Sequence, residues 1–224
     1  MALFKLNLAR IRGCPPPETV RQGLEEFGMP ETEEFGVLNH AATDRSVFAT
    51  LVRKSQQAVQ RLDETGREVT TAAVDKVTVY PFTVVPRRER LETYAGGPAG
   101  FEQVGAFLAS GLALPVVVER IELDVAAAVE QLVGETQRFQ LRSVRVSEYA
   151  HNSYMAGPYA PKFLDSEHGR EFLAEYAEFV TAARVRFQTP AGRANVALTP
   201  KACFSYSCAE DDQPHVQQVL RGLV

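Results

Sequence analysis

The residues best suited to chemistry cluster in the stretch 149–163, which is rich in tyrosine and carries a histidine and an asparagine. Long loops with such side chains often carry function, because packing alone does not require them. A histidine beside a carboxylate is the minimum for general acid–base catalysis. The weak catalytic candidates are His151 within the predicted loop and Glu148, Asp165 and His168 on either side of it.

Arginines recur on the predicted strands that follow. Arg184 and Arg186 are two residues apart and therefore share one strand face, and Arg193 comes on the next strand. Guanidinium groups on an open sheet face, with Tyr206 or Tyr154 for stacking, could hold a single strand of nucleic acid. The alternative is a solvated face whose arginines pair with glutamates. The predicted binding residues are Arg184, Arg186, Arg193, Tyr149, Asn152, Tyr154 and Tyr159, with further arginine clusters at Arg87, Arg88 and Arg90 and at Arg142 and Arg145.

Motifs for nucleotide, metal or covalent chemistry are missing from the sequence. The glycines at 96, 97 and 100 follow neither the P-loop nor the dinucleotide-binding spacing. His168 with Glu171 or Glu175 lacks a third metal ligand, and these glutamates fit the solvated side of a helix. The three cysteines, Cys14, Cys203 and Cys208, show neither zinc nor disulfide spacing. We therefore predict no metal and no cofactor.

Composition points to an ordinary globular protein. Hydrophobic residues make up 45% of the 224 residues, charged residues make up 23%, and the formal net charge is −4. That charge argues against a wholly basic nucleic-acid-binding surface but not against a local patch. Without a signal-like leader or a long apolar run, we expect cytoplasmic localisation and no membrane. The expected partner is a protein or a second copy of the chain, with nucleic acid as the open alternative.

The elements that position these residues centre on 77–125, which predicts strand, turn, strand, helix and strand. Residues 116–125 give the strongest strand prediction of the chain. Residues 56–73 favour a hairpin around Gly66.

Later elements follow from the same reasoning. Residues 139–149 predict a strand whose alternation slips near Arg142 and Ser143, which is typical of a bulge. Residues 150–164 are interpreted as irregular, and 166–180 predict a helix capped by Asp165 or Ser166. A three-stranded meander over 183–208 and a last helix after Asp211 or Asp212 complete the chain.

Together these patterns predict an α+β fold of mainly antiparallel sheets with short helices packed on one face. The tail and the 77–125 stretch share strand, proline-plus-basic turn, strand and helix, so a duplicated β-β-α-β-type unit is an open hypothesis. We expect one compact unit over 1–224, with sub-lobes 1–150 and 151–224 as an alternative. The predicted function is a non-enzymatic cytosolic binding module within a protein or protein–nucleic-acid assembly, which uses the arginine-bearing sheet face and the 149–163 loop. The alternative is a small enzyme centred on His151.

Overall fold

A computed structural model of the chain describes residues 2–27, 35–62, 66, 69–152 and 155–224. It confirms the predicted α+β class, with antiparallel strands and five short α-helices in the described part. No helix in these ranges is long and apolar enough to cross a membrane. The chain separates into a middle unit, Ile11–Val118, and a terminal unit, Met1–Arg10 with Glu119–Val224. The prediction of a single domain with sub-lobes 1–150 and 151–224 stays a prediction.

The middle unit is an antiparallel sheet with two helices. Its strands follow the order β2–β3–β4–β5 once each is numbered along the chain. Leu51, Phe82 and Phe101 are fully buried in its core. The elements are α1 (Pro17–Phe27), β2 (Phe35–Ala42), β3 (Val47–Leu62), β4 (Val69–Val85), β5 (Arg90–Thr93) and α2 (Gly97–Ala106), which continues as a π-helical turn, Phe107–Gly111.

The hairpin predicted around Gly66 is confirmed. Strands β3 and β4 pair without a register shift from Val47 opposite Val84 to Leu62 opposite Val69. Alternating β-branched residues favour this pairing over a helix. The first strand that we predicted within 77–125 is therefore the second half of β4.

The terminal unit contains β1 (Ala2–Arg12, whose last two residues belong to the middle unit), β6 (Val117–Arg120, whose first two residues belong to the middle unit) and the elements that follow β6. Its strands follow the order β1–β11–β10–β9–β7–β8, all antiparallel. The elements that follow β6 are α3 (Val125–Glu135), β7 (Gln140–Asn152), β8 (Met155–Tyr159), α4 (Ser166–Glu175), β9 (Val180–Thr189), β10 (Gly192–Leu198), β11 (Cys203–Cys208) and α5 (Gln213–Arg221).

The helices of the terminal unit cover one side of its sheet. Helices α3, α4 and α5 contact β9, β7 and β11. Gln217 on α5 donates to the hydroxyl of the buried Tyr206, and Gly169 on α4 lies against Leu141. Val185 and Phe187 are buried on the same side. This inner side holds the core, as the alternating apolar residues of the tail predict.

The prediction of a strand over 116–125 was wrong in its extent. Only Val117–Arg120 is a strand, and α3 begins at Val125. The side chain of Asp124 accepts a hydrogen bond from the Ala127 amide and so caps the helix. An N-cap aspartate therefore outweighs the β-branched residues around it.

The prediction of an irregular 150–164 stretch was wrong for the described residues up to Tyr159, whereas 160–164 is irregular as predicted. Strand β7 continues to Asn152, and Met155–Tyr159 returns beside it as β8. Gly157 and Pro158 are accepted because β8 is at the end of the strand order, where a missing amide donor costs little. The helix predicted over 166–180 ends at Glu175, and a 3₁₀ turn, Ala177–Phe179, leads into β9.

The two segments that suggested a duplication share the expected element order. Four residues join β4 to β5 and four join β10 to β11. Each turn ends on a residue with positive φ, 47° at Glu89 and 49° at Ala202. The amides of these residues donate to Pro86 and Thr199, three residues back. A short helix follows in both cases; descent from a duplicated unit stays a hypothesis.

A buried carboxylate ties the β9–β10 turn to the start of α5. Asp212 is 1% exposed, and its carboxylate accepts from the Thr189 hydroxyl at 2.6 Å and the Ala191 amide at 2.9 Å. We expected Asp211 or Asp212 to cap the last helix. Asp212 occupies that position, but its side chain makes no capping bond and serves the turn instead.

We expect Asp212→Ala to lower the free energy of unfolding by about 3 kcal/mol, because it leaves the buried Thr189 hydroxyl and the part-buried Ala191 amide without an acceptor. The adjacent exposed Asp211→Ala is the matched control and should change it by less than about 0.5 kcal/mol. Urea unfolding followed by circular dichroism measures both. Equal effects of the two substitutions would contradict the anchoring role.

Candidate binding face

The outer side of the terminal unit's sheet is built by alternation along β9. Val185 and Phe187 are buried on the inner side, so Arg184 and Arg186 project from the opposite side. Arg184 is exposed and Arg186 is half-buried. The shared face that we predicted for these two arginines is thus present in the structure.

Antiparallel register extends this side across the neighbouring strands, because directly opposed residues point the same way. Asn195 on β10 is opposite Arg186, and Ser207 on β11 is opposite Asn195. Arg193 is opposite Gln188 and joins the same side farther along. The outer side therefore presents guanidinium, amide and hydroxyl groups in register.

A bulge in β7 adds another arginine. The pairing with β9 shifts between Leu141 and Ser143, where we predicted an irregularity from the sequence. Leu141 and Val144 remain buried while Arg142 is exposed. Because the bulge inserts one residue without reversing the sides of the others, an extra outward side chain is gained at no cost to the core. Arg145 follows on the outer side.

A row of hydrogen bonds orders the centre of this surface. Arg186 Nε donates to Asn195 Oδ1 at 2.8 Å. Asn195 Nδ2 donates in turn to Ser207 Oγ at 3.3 Å. These bonds fix the guanidinium plane and leave its two terminal nitrogens available.

Two concavities adjoin on the outer side. The first, of about 440 Å³, lies over β7, β9, β10 and β11, and Arg142, Arg184 and Arg186 line it. The second, of about 400 Å³, is lined by Arg145, Arg184 and Lys162. Arg184 belongs to both, so they form one continuous surface. We call the set Arg142, Arg145, Lys162, Arg184, Arg186 and Arg193 the basic face.

No acidic residue balances the basic face among the described residues. Glu148 is the only acidic residue on the six strands, and it lies beyond the last β7–β9 pair, Val146 with Val180. None of the five arginines forms an ion pair with a described residue, whereas Arg170 on α4 pairs with Glu130 on α3 at 2.9 Å. The solvated-face alternative, with arginines paired to glutamates, therefore describes the helical side and not the basic face.

The predicted tyrosines lie elsewhere. Tyr159 is opposite Val146, which is buried on the inner side, and its ring is 4.5 Å from that of Tyr149. Both rings belong to a cluster with Phe172 on α4. Tyr206, proposed for stacking, is 1% exposed on the inner side and unavailable to the basic face. Tyr154 and the side chain of Asn152 are outside the described residues.

The catalytic candidates form no acid–base centre in the described part. Asp165 caps α4 by accepting from the Glu167 amide at 3.0 Å, and it contacts His168 Nδ1 at 2.6 Å. His168 is 79% exposed, so the pair stands on the surface. Glu148 is exposed as well. The side chain of His151 lies outside the described residues, so the enzyme alternative remains a hypothesis.

The surroundings of the three cysteines do not favour the reactive thiolate form. Burial raises the pKa of the Cys14 thiol to about 11. Burial likewise raises the pKa of Cys203, against the opposing charges of Lys201 and Arg120, and that of Cys208. Because the thiolate is the nucleophile, none of the three is activated. Among the described residues no three histidine, cysteine or acidic side chains converge on a metal-sized site.

Sequence reasoning missed three residues that line the concavities of the outer side: Asn195, Ser207 and Lys162. The signal for the first two was available, since both alternate with buried residues on strands that we predicted. Lys162 could not be found, because it joins the face through a bridge to Ser143 at the end of a segment interpreted as irregular.

Comparison with known proteins adds no family to this geometry. The chain matches no protein-family model, and no curated protein matches it.

Deleting Ser143 should be tolerated, because it removes the bulge and leaves Leu141, Val144 and Val146 facing the core. We expect the free energy of unfolding to fall by at most about 1 kcal/mol. Deleting Ser205, an outward serine at a regular position of β11, turns either Phe204 or Tyr206 outward and should cost at least about 3 kcal/mol. Chemical denaturation compares the two; similar losses would show that the bulge is not what sets the side of each residue.

The hydrogen bond from His168 to Asp165 raises the pKa of the imidazole above its ordinary value of 6.5. This interaction stabilises the fold below pH 6.5 while Asp165 is ionised, and its contribution is lost as the pH rises through the elevated pKa of His168. Asp165→Asn should bring the pKa of His168 back towards its ordinary value, and Glu171→Gln should lower that pKa less, because the effect of Glu171 is only coulombic. An NMR titration of the His168 ring measures this; an unchanged pKa in Asp165→Asn would exclude the contact.

Proposed function

We propose that the protein is a non-enzymatic binding module whose basic face holds a single strand of nucleic acid. The observation that carries the proposal is the segregation of charge in the terminal unit. Arginines on β7, β9 and β10 face one way without acidic partners, in a chain whose formal net charge is −4. Such a surface attracts a polyanion, and counterion release makes the attraction favourable and sensitive to salt.

Local repulsion supports a ligand of opposite charge. Arg184 and Arg186 are two residues apart on one strand, about 7 Å by strand geometry. Arg142 lines the same concavity. Like charges at such distances destabilise the sheet unless counterions or a ligand neutralise them.

The shape of the face favours a single strand over a duplex. Helices α3, α4 and α5 contact the other side of the sheet, so no helix of this unit stands on the basic face to enter a major groove. The two concavities are shallow and adjoin at Arg184. An extended strand can follow such a surface, as it does on other sheet-based modules.

Fluorescence anisotropy with labelled 20-nucleotide RNA, DNA and a duplex, at about 50 and 200 mM salt, tests the proposal. Affinity for the single strands should fall steeply with salt. Arg184→Ala and Arg186→Ala should each raise Kd roughly 3- to 10-fold and lower the log–log salt slope by about 0.7, the value for one phosphate contact.

Arg170→Ala is the matched control, since it removes an exposed arginine from the helical side. Its loss should leave Kd within about twofold, because an exposed ion pair contributes little to the fold. No salt-sensitive binding by the unchanged protein, or an equal loss in all three variants, would refute a role for the basic face.

The remaining expectations stay proposals of the same kind. A protein partner or a second copy of the chain would complete an assembly around the module, and cytoplasmic localisation fits cysteines that stand as free thiols in the structure. The described geometry contains no observation that favours the enzyme alternative over binding.

A further inference from the structure

The side chains that line the basic face from outside share one chemical character. They are guanidinium, ammonium, hydroxyl and amide groups, with alanines, a proline and the exposed Leu3 between them. Two tyrosines touch the concavities. Tyr206 is buried, and Tyr159, although 38% exposed, is directed to the inner side by its register with Val146, where its ring packs on that of Tyr149.

Bases of a single strand stack chiefly on aromatic rings, and guanidinium planes add to such platforms. No described aromatic ring is directed outward on this face, and the guanidinium of Arg186 is held by Asn195 so that its edge is presented. Arg186 Nε is occupied by Asn195, so the free edge of the fork is formed by its two terminal nitrogens. Two parallel N–H donors match the two oxygens of a phosphate group.

The neighbouring groups extend the same chemistry. Ser207 accepts from Asn195 and retains its own hydroxyl proton for a ligand oxygen. Arg184 stands between the two concavities and contributes to both. On the far side, Arg145 and Lys162 offer further charge. The surface thus presents N–H and O–H donors along its length.

We infer that the basic face recognises a linear chain of phosphate groups and is indifferent to the bases attached to it, with Arg186 as a two-pronged phosphate ligand that Asn195 holds in place. This inference rests on the proposed function and specifies what is read in the strand. Its ligand class is the phosphodiester backbone, and inorganic polyphosphate carries the same chemistry.

The deciding experiment compares 20-nucleotide oligo(dT) with a 20-unit abasic strand of the same backbone, by anisotropy with the full chain. The two Kd values should agree within about threefold. Oligo(dT) binding at least tenfold tighter than the abasic strand would overturn the inference while leaving the proposed function intact. Absence of binding by both would overturn the proposed function itself.

Competition with inorganic polyphosphate separates the two sources of the ligand. Displacement of the abasic strand at equal phosphate concentration supports recognition of phosphate groups alone. Displacement at a concentration at least tenfold lower would identify free polyphosphate as the preferred ligand, which supports the inference and contradicts a nucleic acid partner.

Arg186→Lys tests the two-pronged contact, because it keeps the charge and removes the fork. Kd should rise roughly 3- to 10-fold with an unchanged salt slope. An affinity equal to that of the unchanged protein would refute the contact. Asn195→Ala should weaken binding only when Arg186 is present, so its effect should vanish in the Arg186→Ala background. Additive losses would show that Asn195 does not act through Arg186.

Discussion

The structure of the terminal unit depends on one geometric constraint, the strict two-residue period of an antiparallel strand. In β9 that period places Val185 and Phe187 in the core, so Arg184 and Arg186 must project from the outer side. The register of β10 and β11 then places their residues on the same two sides, because residues opposite each other share a side. The charge of the outer side is therefore a consequence of how the core is packed. An exchange of sides would bury two guanidinium groups without partners, which is far more costly than exposing them.

The same constraint explains why charge is segregated. Most acidic residues of this unit lie on its helices and connecting segments, and Glu130 on α3 pairs with Arg170 on α4. The strands carry their basic residues on the opposite side of the sheet, beyond the reach of those carboxylates. A sheet roughly 10 Å from its helices separates the two sets well enough that water and salt screen most of their attraction. The overall acidity of the chain and the basic face are thus compatible.

The parts of this arrangement that follow from local rules were accessible from the sequence. Alternation in the tail was enough to place Arg184 and Arg186 together, and the broken alternation at Arg142 and Ser143 was enough to predict the bulge. Predictions failed where one side chain or a distant partner determines the local structure. Asp124 ends the apolar run over 116–125 by capping α3. The carboxylate of Asp212 binds the Thr189 hydroxyl and, contrary to our expectation, does not cap α5. The hairpin of β7 and β8 carries glycine and proline, whose presence suggested a loop although an edge strand accepts them. The contact of Asp212 with Thr189 depends on tertiary proximity, whereas the Asp124 cap is a local contact with a residue three positions along the chain.

The positions of the arginines and tyrosines decide between two versions of the binding hypothesis. The sequence placed both on one surface, but the described tyrosines are on the helical side, where Tyr149 and Tyr159 pack on each other and on Phe172. Those rings already satisfy much of their hydrophobic requirement, so they give less reason to expect a ligand than unpaired charges do. A compact ligand cannot contact both sides of one sheet. The basic face must act without aromatic stacking from these residues, and this separation is why its chemistry points to phosphate and not to bases.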